Sequence, residues 1–374
     1  MNKKLVAVAV AGLLAAPLAA QAQTANVTLY GRLNLTMEAV SGSAVDPNLP
    51  ATAAPVNRTV YRVGSNSSRL GVRGSEALGG GLSAIFQIES SINADSGGGT
   101  LAGRETFVGL QGTWGTFKIG NFLAPYDDIH PIFGNVPTLT TSILSTAALW
   151  AQGSQAKVDG AFDARLGNSI RYDSPRIAGF LGSIQIAQAD TSNSTLAQQQ
   201  RHAYVLSAGG FYANGPFQAG IAYEANTKIR CIGCNDWAMS IAGNWNFGVV
   251  KVGGVFERIE YGFANNSDLT RNFWGVSLTA PVGPGELFFH YGDAGDGSGP
   301  AGAKVGQIAA GDNTGAANWS VSYTYALSKR TLSYAGFVQT RNDNNAAYNF
   351  NINPYTVVNG ANASGFVMGL VHFF

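Results

Sequence analysis

Short stretches in which every second residue is apolar recur along this chain, and that repetition limits its fold more than any other feature. Val27, Leu29, Gly31, Leu33 and Leu35 alternate with Thr28, Tyr30, Arg32 and Asn34. A period of two sorts the two sets onto opposite faces of a β-strand. One such strand fits a soluble sandwich equally well, so the weight falls on the repetition and on what separates the strands. Leu82, Ala84, Phe86 and Ile88 repeat the pattern against Ser83, Gln87 and Glu89. Tight turns occur at residues 77–81, 115, 175–179, 214–216, 248, 281–285 and 328–330, and longer Gly-, Ser-, Asn- and Asp-rich loops lie between them. The rhythm gives about sixteen strands, with short turns at one end and long loops at the other, the layout of a single-chain transmembrane barrel.

Composition points the same way. Hydrophobic residues make up 45% of the chain and charged residues only 12%, about half the usual charged share. Aromatics are plentiful (14 Tyr, 20 Phe, 6 Trp) and Gly reaches 48, yet past the N-terminus no window is apolar for long enough to make a spanning helix. Sixteen strands of ~10 residues use about 160 residues and leave the rest to loops. A closed sheet of that size encloses water, whereas a sheet of about eight strands is filled by side chains.

The N-terminus carries Lys3, Lys4, an apolar run over residues 5–20 and the triplet Ala20, Gln21, Ala22. This is the layout of a cleaved signal peptide over residues 1–22, with residues 23–374 as the barrel. The run is broken by Pro17 and falls short of the ~20 residues of a spanning helix. Without Lys3 and Lys4 the 23 basic residues become 21 against 22 acidic. Near-neutrality argues against a nucleic-acid partner.

One segment departs from the rhythm. Across residues 126–166 the alternation stops for about forty residues, well past the length at which a structureless loop is exceptional in a compact fold. The segment opens with Tyr126, Asp127, Asp128, Ile129, His130, Pro131, Ile132, Phe133 and Gly134, and passes Trp150 before Arg165. Its apolar content calls for packing inside something.

Motifs for chemistry are sparse. Cys231 and Cys234 read as a disulfide stapling one loop in an oxidising compartment. The four histidines (His130, His202, His290, His372) are scattered, and no G-x-S-x-G is present, so neither a nucleophile–base pair nor a metal site is indicated. Gly297-x-Gly299-x-x-Gly302 matches a dinucleotide fingerprint by letters only, with no helix after it, and reads as a flexible loop. Asp293 and Asp296 lack the remaining spacing of a Ca²⁺ loop. The expectation is a protein without cofactor or catalysis.

In order and spacing, several motifs resemble a Gram-negative general porin of the β-proteobacterial type. Thr28-Leu29-Tyr30-Gly31-Arg32 resembles the family's first strand, and residues 67–74, running into the turn at 77–82, resemble its second. Phe107-Val108-Gly109-Leu110 resembles the fourth strand. Phe374, with Leu370, Met368 and Phe366 at alternate positions before it, resembles the signal read by the outer-membrane assembly machinery. The resemblance implies a homotrimer of 16-stranded antiparallel barrels in the outer membrane, in contact with lipid and lipopolysaccharide, each barrel with its third loop folded inward. Tyr126, Asp127, Asp128, Pro131, Phe133 and Gly134 match that loop's tip; Ile132 stands where the enteric branch has a glutamate, which weakens the acidic side. The basic wall opposite would comprise Arg32, Arg69, Arg73, Arg104 and Arg165. Alternation independently turns Arg32, Arg69 and Arg73 inward, since an arginine facing lipid at the midplane costs ~2–4 kcal/mol. Arg165 rests on the resemblance alone. The expected function is passive diffusion of small hydrophilic solutes and ions with mild anion preference. The rival is a solute-specific channel, whose path an aromatic slide or stacked basic residues would line. Trp114, Trp237, Trp274 and Trp319 fall near strand ends, where interfacial girdles belong.

Overall fold

The computed structural model describes residues 26–44, 54–133, 142–152, 161–188 and 202–374; the signal peptide expected over residues 1–22 lies outside them. Strand β1 (Asn26–Ala44) pairs along one half with Val56–Ser65 and along the other with Arg69–Gly79. These two segments form one barrel strand, β2, interrupted where Ser67 takes a left-handed φ of 52°. Next come β3 (Leu82–Ile92), β4 (Thr106–Gly112), β5 (Gly115–Leu123), β6 (Arg165–Asp173), β7 (Phe180–Gln188), β8 (Tyr204–Asn214), β9 (Phe217–Thr227) and β10 (Asn235–Asn246). The last six are β11 (Lys251–Gly262), β12 (Asp268–Val282), β13 (Gly285–Ala294), β14 (Ala316–Ala326), β15 (Thr331–Asn342) and β16 (Ala363–Phe373). Each is antiparallel to the one before, and β16 returns to β1, with Arg32 opposite Phe373 and Ser41 opposite Ser364. The result is a closed barrel of 16 strands.

The turn after β2 shows why the sequence folds back where it does. Gly80 and Gly81 both have positive φ, 60° and 79°, as a two-residue hairpin turn with the twist of its strands requires. Strand β6 begins at Arg165, four residues before alternation becomes readable at Ser169, because the ladder slips between Gly120 and Phe122 opposite it and Asn168 is left-handed.

Alternation is obeyed on the wall. On β1, Leu29, Leu33 and Met37 point outward and are exposed, while Arg32, Asn34, Thr36 and Glu38 point inward. Ile119, Ile170, Ile184, Ile221, Ile241 and Val276 extend the outward apolar belt. Aromatic clusters mark its rims. At the short-turn end Trp114 stacks on Tyr172 at 6.2 Å, and Phe180, Tyr212, Phe217 and Trp245 form a chain of contacts. Near the loop end stand Tyr223 with Trp237, Trp274 with Tyr291, and Trp319 with Phe337.

The hydrophobic core is inside the barrel, and the loop after β5 makes it. Residues Asp127–Phe133 form a 3₁₀ helix that packs on the inner wall of β8–β11. Tyr126, Ile129, Phe133, Trp150 and Phe162 are buried with Ile259 and Tyr261 of β11 and Phe273 of β12. Farther along the loop, Ile143 and Leu144 pack with Val338, Val367 and Phe350 on the side of β15 and β16. The loop therefore crosses the lumen.

Polar anchors hold it. Asn244 Nδ2 donates to Ile132 O at 2.6 Å and Ser277 Oγ donates to Phe133 O. Glu257 is the hub: one carboxylate accepts from Arg271 (2.7 Å), Tyr126 Oη (2.9 Å) and the Ala151 amide (2.8 Å). Both members of the Arg271–Glu257 pair have fully buried side chains. Trp150 Nε1 donates to Ser240 at 2.9 Å. Gly253 and Gly275 make room for the tip: a Cβ on Gly253 would lie 2.8 Å from Phe133 O, and one on Gly275 would lie 2.8 Å from the Phe133 ring.

Glu257→Ala would strand the buried Arg271 charge, which in such pairs costs about 3–5 kcal/mol, and cut two loop tethers. Thermal unfolding of the detergent-folded barrel should show a large loss for Glu257→Ala and a smaller one for Glu257→Gln, which keeps an acceptor. Gly253→Val should push the loop tip into the lumen. Single-channel recording should then find assembled pores of lower conductance than wild type.

Candidate pore constriction

Facing the loop, one stretch of wall collects arginines. Arg32 Nη2 donates to Asn66 O and Ser67 O at 3.3 and 3.2 Å, so the irregularity in β2 fixes its position. Arg69 and Arg104 both reach Glu89 Oε1, at 3.3 and 2.6 Å. The other Glu89 oxygen accepts from Tyr30 Oη at 3.0 Å, and Arg73 lies over the Tyr30 ring at 4.9 Å. Arg32 is within electrostatic reach of Arg69 and Arg104, and Arg165 of Arg104 and Asp127. All five arginines named from the sequence thus converge on β1–β3, the loop before β4 and the start of β6, with Glu89 among them and Glu105 and Asp127 within reach of Arg165.

Alternation places Glu89 on the polar face but assigns it no role. A signal for one is nonetheless present, because an inward acid two residues from Gln87, on a strand that pairs with the one carrying inward Arg69 and Arg73, has few alternatives to pairing with a nearby arginine. Arg171 is a second functional residue that sequence reasoning misses. It lies between outward Ile170 and Tyr172, so alternation turns it inward. There it binds Asp128, Asp173 Oδ1 at 2.8 Å and Leu123 O at 2.9 Å.

The loop residues divide by role. Tyr126 and Phe133 are fully buried anchors, whereas Pro131 is exposed. Gly134 lies outside the described residues. Asp128 is held by Arg171 and does not stand free across the pore from the arginines. Asp127 is in partial contact with solvent, and burial, then the Asp128 charge, raise its carboxyl to about 7, while Arg165 opposes the rise. Burial lowers His130 to about 3 and holds Asp163 well above the usual carboxylate range. The arrangement therefore sets a dense basic wall against a weaker acidic edge than two free aspartates would make.

The remaining named residues lie elsewhere. Cys231 and Cys234 are bonded to each other in the loop between β9 and β10, next to the two-pronged Arg230–Asp236 pair at 2.7 Å. Phe374 exchanges backbone hydrogen bonds with Gly31 at 2.9 and 3.1 Å, and its ring occupies the space a Cβ on Gly31 would need. The loop expected to be flexible around Gly297 is folded: a small hairpin (Lys304–Val305 with Ile308–Ala309) closes it. Asp296 accepts from the Asn313, Thr314 and Gly315 amides, which makes it a loop staple.

The fold has known counterparts. The sequence pattern of the Gram-negative porin family matches residues 7–345. The outer membrane porin protein 32 of Delftia acidovorans is 28% identical over 346 residues, 91% of this chain and 90% of that protein. A major outer membrane protein P.IA of Neisseria meningitidis serogroup C is 30% identical over 243 residues, 60% of this chain and 57% of that protein. Among solved structures, the anion-selective porin from Comamonas acidovorans superposes with a TM-score of 0.72 at 23% identity, covering 94% of this chain and all of that one. The OmpT protein of Vibrio cholerae gives 0.65 at 13% identity, over 95% and 99%. With a closed water-enclosing barrel, a loop crossing its lumen and a family match over most of its length, the chain belongs to the Gram-negative porin family and forms a passive channel in the outer membrane.

Proposed function

We propose that this porin passes small hydrophilic solutes and ions with a mild preference for anions, selected at the gap between its arginine wall and its inward loop. One observation carries the reading: five arginines (Arg32, Arg69, Arg73, Arg104 and Arg165) gather where Glu89 pairs with two of them and Glu105 and Asp127 lie within reach of Arg165, while Asp128 is tied to Arg171. A ring with excess positive charge raises the local anion concentration. Solute passage needs no bond-making, so the residues act by field and bore alone. The Trp residues near the strand ends contact other rim aromatics and offer no aromatic slide through the lumen, which favours a general pore over a solute-specific one.

Assembly is part of the same proposal. Residues 1–22 are removed on export, Phe374 is read by the assembly machinery, and the barrel trimerises in contact with lipid and lipopolysaccharide. Support for the trimer comes from the family and from the apolar outer face of β1 and β14–β16, where Leu35, Met37, Tyr323, Met368 and Leu370 line a shallow hollow. The Cys231–Cys234 bridge serves to hold its loop.

Under a salt gradient across a planar bilayer, the reversal potential should take the sign of anion preference; cation preference in the wild type would overturn the proposal. Replacing Arg69 and Arg165 together by Ser should raise conductance and lower the preference. Glu89→Gln should raise the preference, because it removes the acid that pairs with Arg69 and Arg104 and leaves the arginines. Both shifts should shrink between 0.1 and 1 M salt, as the screening length falls from ~10 to ~3 Å.

A further inference from the structure

A second cluster of charge lies within the loop, and of its members the channel reading uses only Asp127. Asp127 and His130 are three residues apart on the 3₁₀ helix, a spacing that stacks side chains on one face of that helix. Asp163 comes from the far end of the same loop, 33 residues after His130. One ligand-type atom of each residue lies within 4.8 Å of the other two.

Two of the three side chains are more than nine-tenths buried and carry an unpartnered polar atom: His130 Nε2 and Asp163 Oδ1. Buried polar groups are normally satisfied, so orphans from two chain-distant residues in one cluster call for a shared partner. The charge balance asks for a cation. Asp163 is within electrostatic reach of Asp127 and Glu257, and Glu224 of both Asp163 and Asp127; Arg271 already serves Glu257, and Arg165 and Arg171 act on the cluster at Asp127. The imidazole is also held in place. Its ring stacks on Trp150 at 3.9 Å, and Trp150 is fixed by its hydrogen bond to Ser240.

We propose that Asp127, His130 and Asp163 bind one divalent transition-metal ion of the Zn²⁺ class, which clips the two ends of the inward loop together. The ligand set chooses the class. Imidazole with two carboxylates suits Zn²⁺ and its neighbours, whereas Ca²⁺ and Mg²⁺ take oxygen alone. Zn–N and Zn–O bonds are about 2.0–2.2 Å, which places tetrahedral ligand atoms about 3.4 Å apart. From within 4.8 Å of one another, the ligand atoms need close by at most about 1.4 Å, and water completes the shell. Loading displaces the protons that burial favours on Asp127 and Asp163, and the two carboxylates then neutralise the ion, so at neutral pH it removes the part of the negative charge that Asp127 carries and moves the preference modestly toward anions. That effect on current rests on the channel reading; the binding does not.

The test titrates untagged, detergent-folded protein with Co²⁺, whose visible bands report coordination. Saturation at one ion per chain is expected, with displacement by Zn²⁺ and indifference to Ca²⁺. H130Q and D163N should each weaken binding by about tenfold or more, a floor set by the effect of losing even an outer-sphere partner; H202Q, outside the cluster, should not. Conductance in chelator first establishes that each variant forms open pores, and wild-type saturation decides even where one variant fails to assemble. Absence of a saturable signal, or binding that H130Q and D163N leave unchanged, overturns the site. Added Zn²⁺ should shift the wild-type reversal potential toward anions and leave that of D163N in place. A shift of equal size in D163N overturns the clip, and the pore measured in chelator stands apart from either result.

Discussion

Lipid offers no hydrogen bonds, and that single fact organises this molecule. Each backbone amide or carbonyl left open in hydrocarbon costs several kcal/mol, so an antiparallel sheet in a membrane has to close. Here it closes by β16 pairing with β1 from Arg32–Phe373 to Ser41–Ser364, and the seal is finished by Phe374 and Gly31. Closure fixes which residues face which medium. With every second residue committed to lipid, charge is confined to the lumen and the loops, and a charged share of 12% is a consequence of geometry.

A barrel of this width cannot fill itself with side chains, so its hydrophobic core has to be imported. The loop between β5 and β6 supplies it, laying Ile129, Phe133, Trp150 and Phe162 against one wall and Ile143 and Leu144 against the other. Apolar burial gives the loop adhesion but little register. Register comes from directed bonds: Asn244 to the Ile132 carbonyl, Ser277 to that of Phe133, and Glu257 gripping both Tyr126 and Ala151. A hub carboxylate is tolerable in a dry site only because Arg271 neutralises it.

How much of this is legible in the sequence depends on the range of the interaction. Alternation and turn residues are local, and they reveal the strands, the inward faces of Arg32, Arg69 and Arg73, and the interruption after β5. Where the ladder slips near Gly120 the local signal fails, so alternation places the start of β6 too late and does not identify Arg171 as the partner of Asp128. Asp163 lies 33 positions after His130, and no periodicity in the sequence connects them; only the fold brings them together. Glu89 is an intermediate case, legible in its orientation but not in its partners. These depend on strand register, which is set by pairing across the sheet.

Net charge says little about which ions such a pore favours. The mature sequence is expected to carry 21 basic and 22 acidic residues, yet the two signs occupy different media. Glu257 and Glu224 are sealed under the loop, Asp163 is nearly so, and Asp128 is paired with Arg171. Arg69 and Arg104 retain partial exposure, at 27% and 16% of the side chain, with only Glu89 between them. A charge acts on a passing ion in proportion to its contact with the water the ion moves through, and a buried, paired acid contributes mainly to holding the loop. The same loop that narrows the pore thus also covers most of the nearby negative charge. A nearly neutral protein can in this way present a positive constriction without any excess of arginine in its composition.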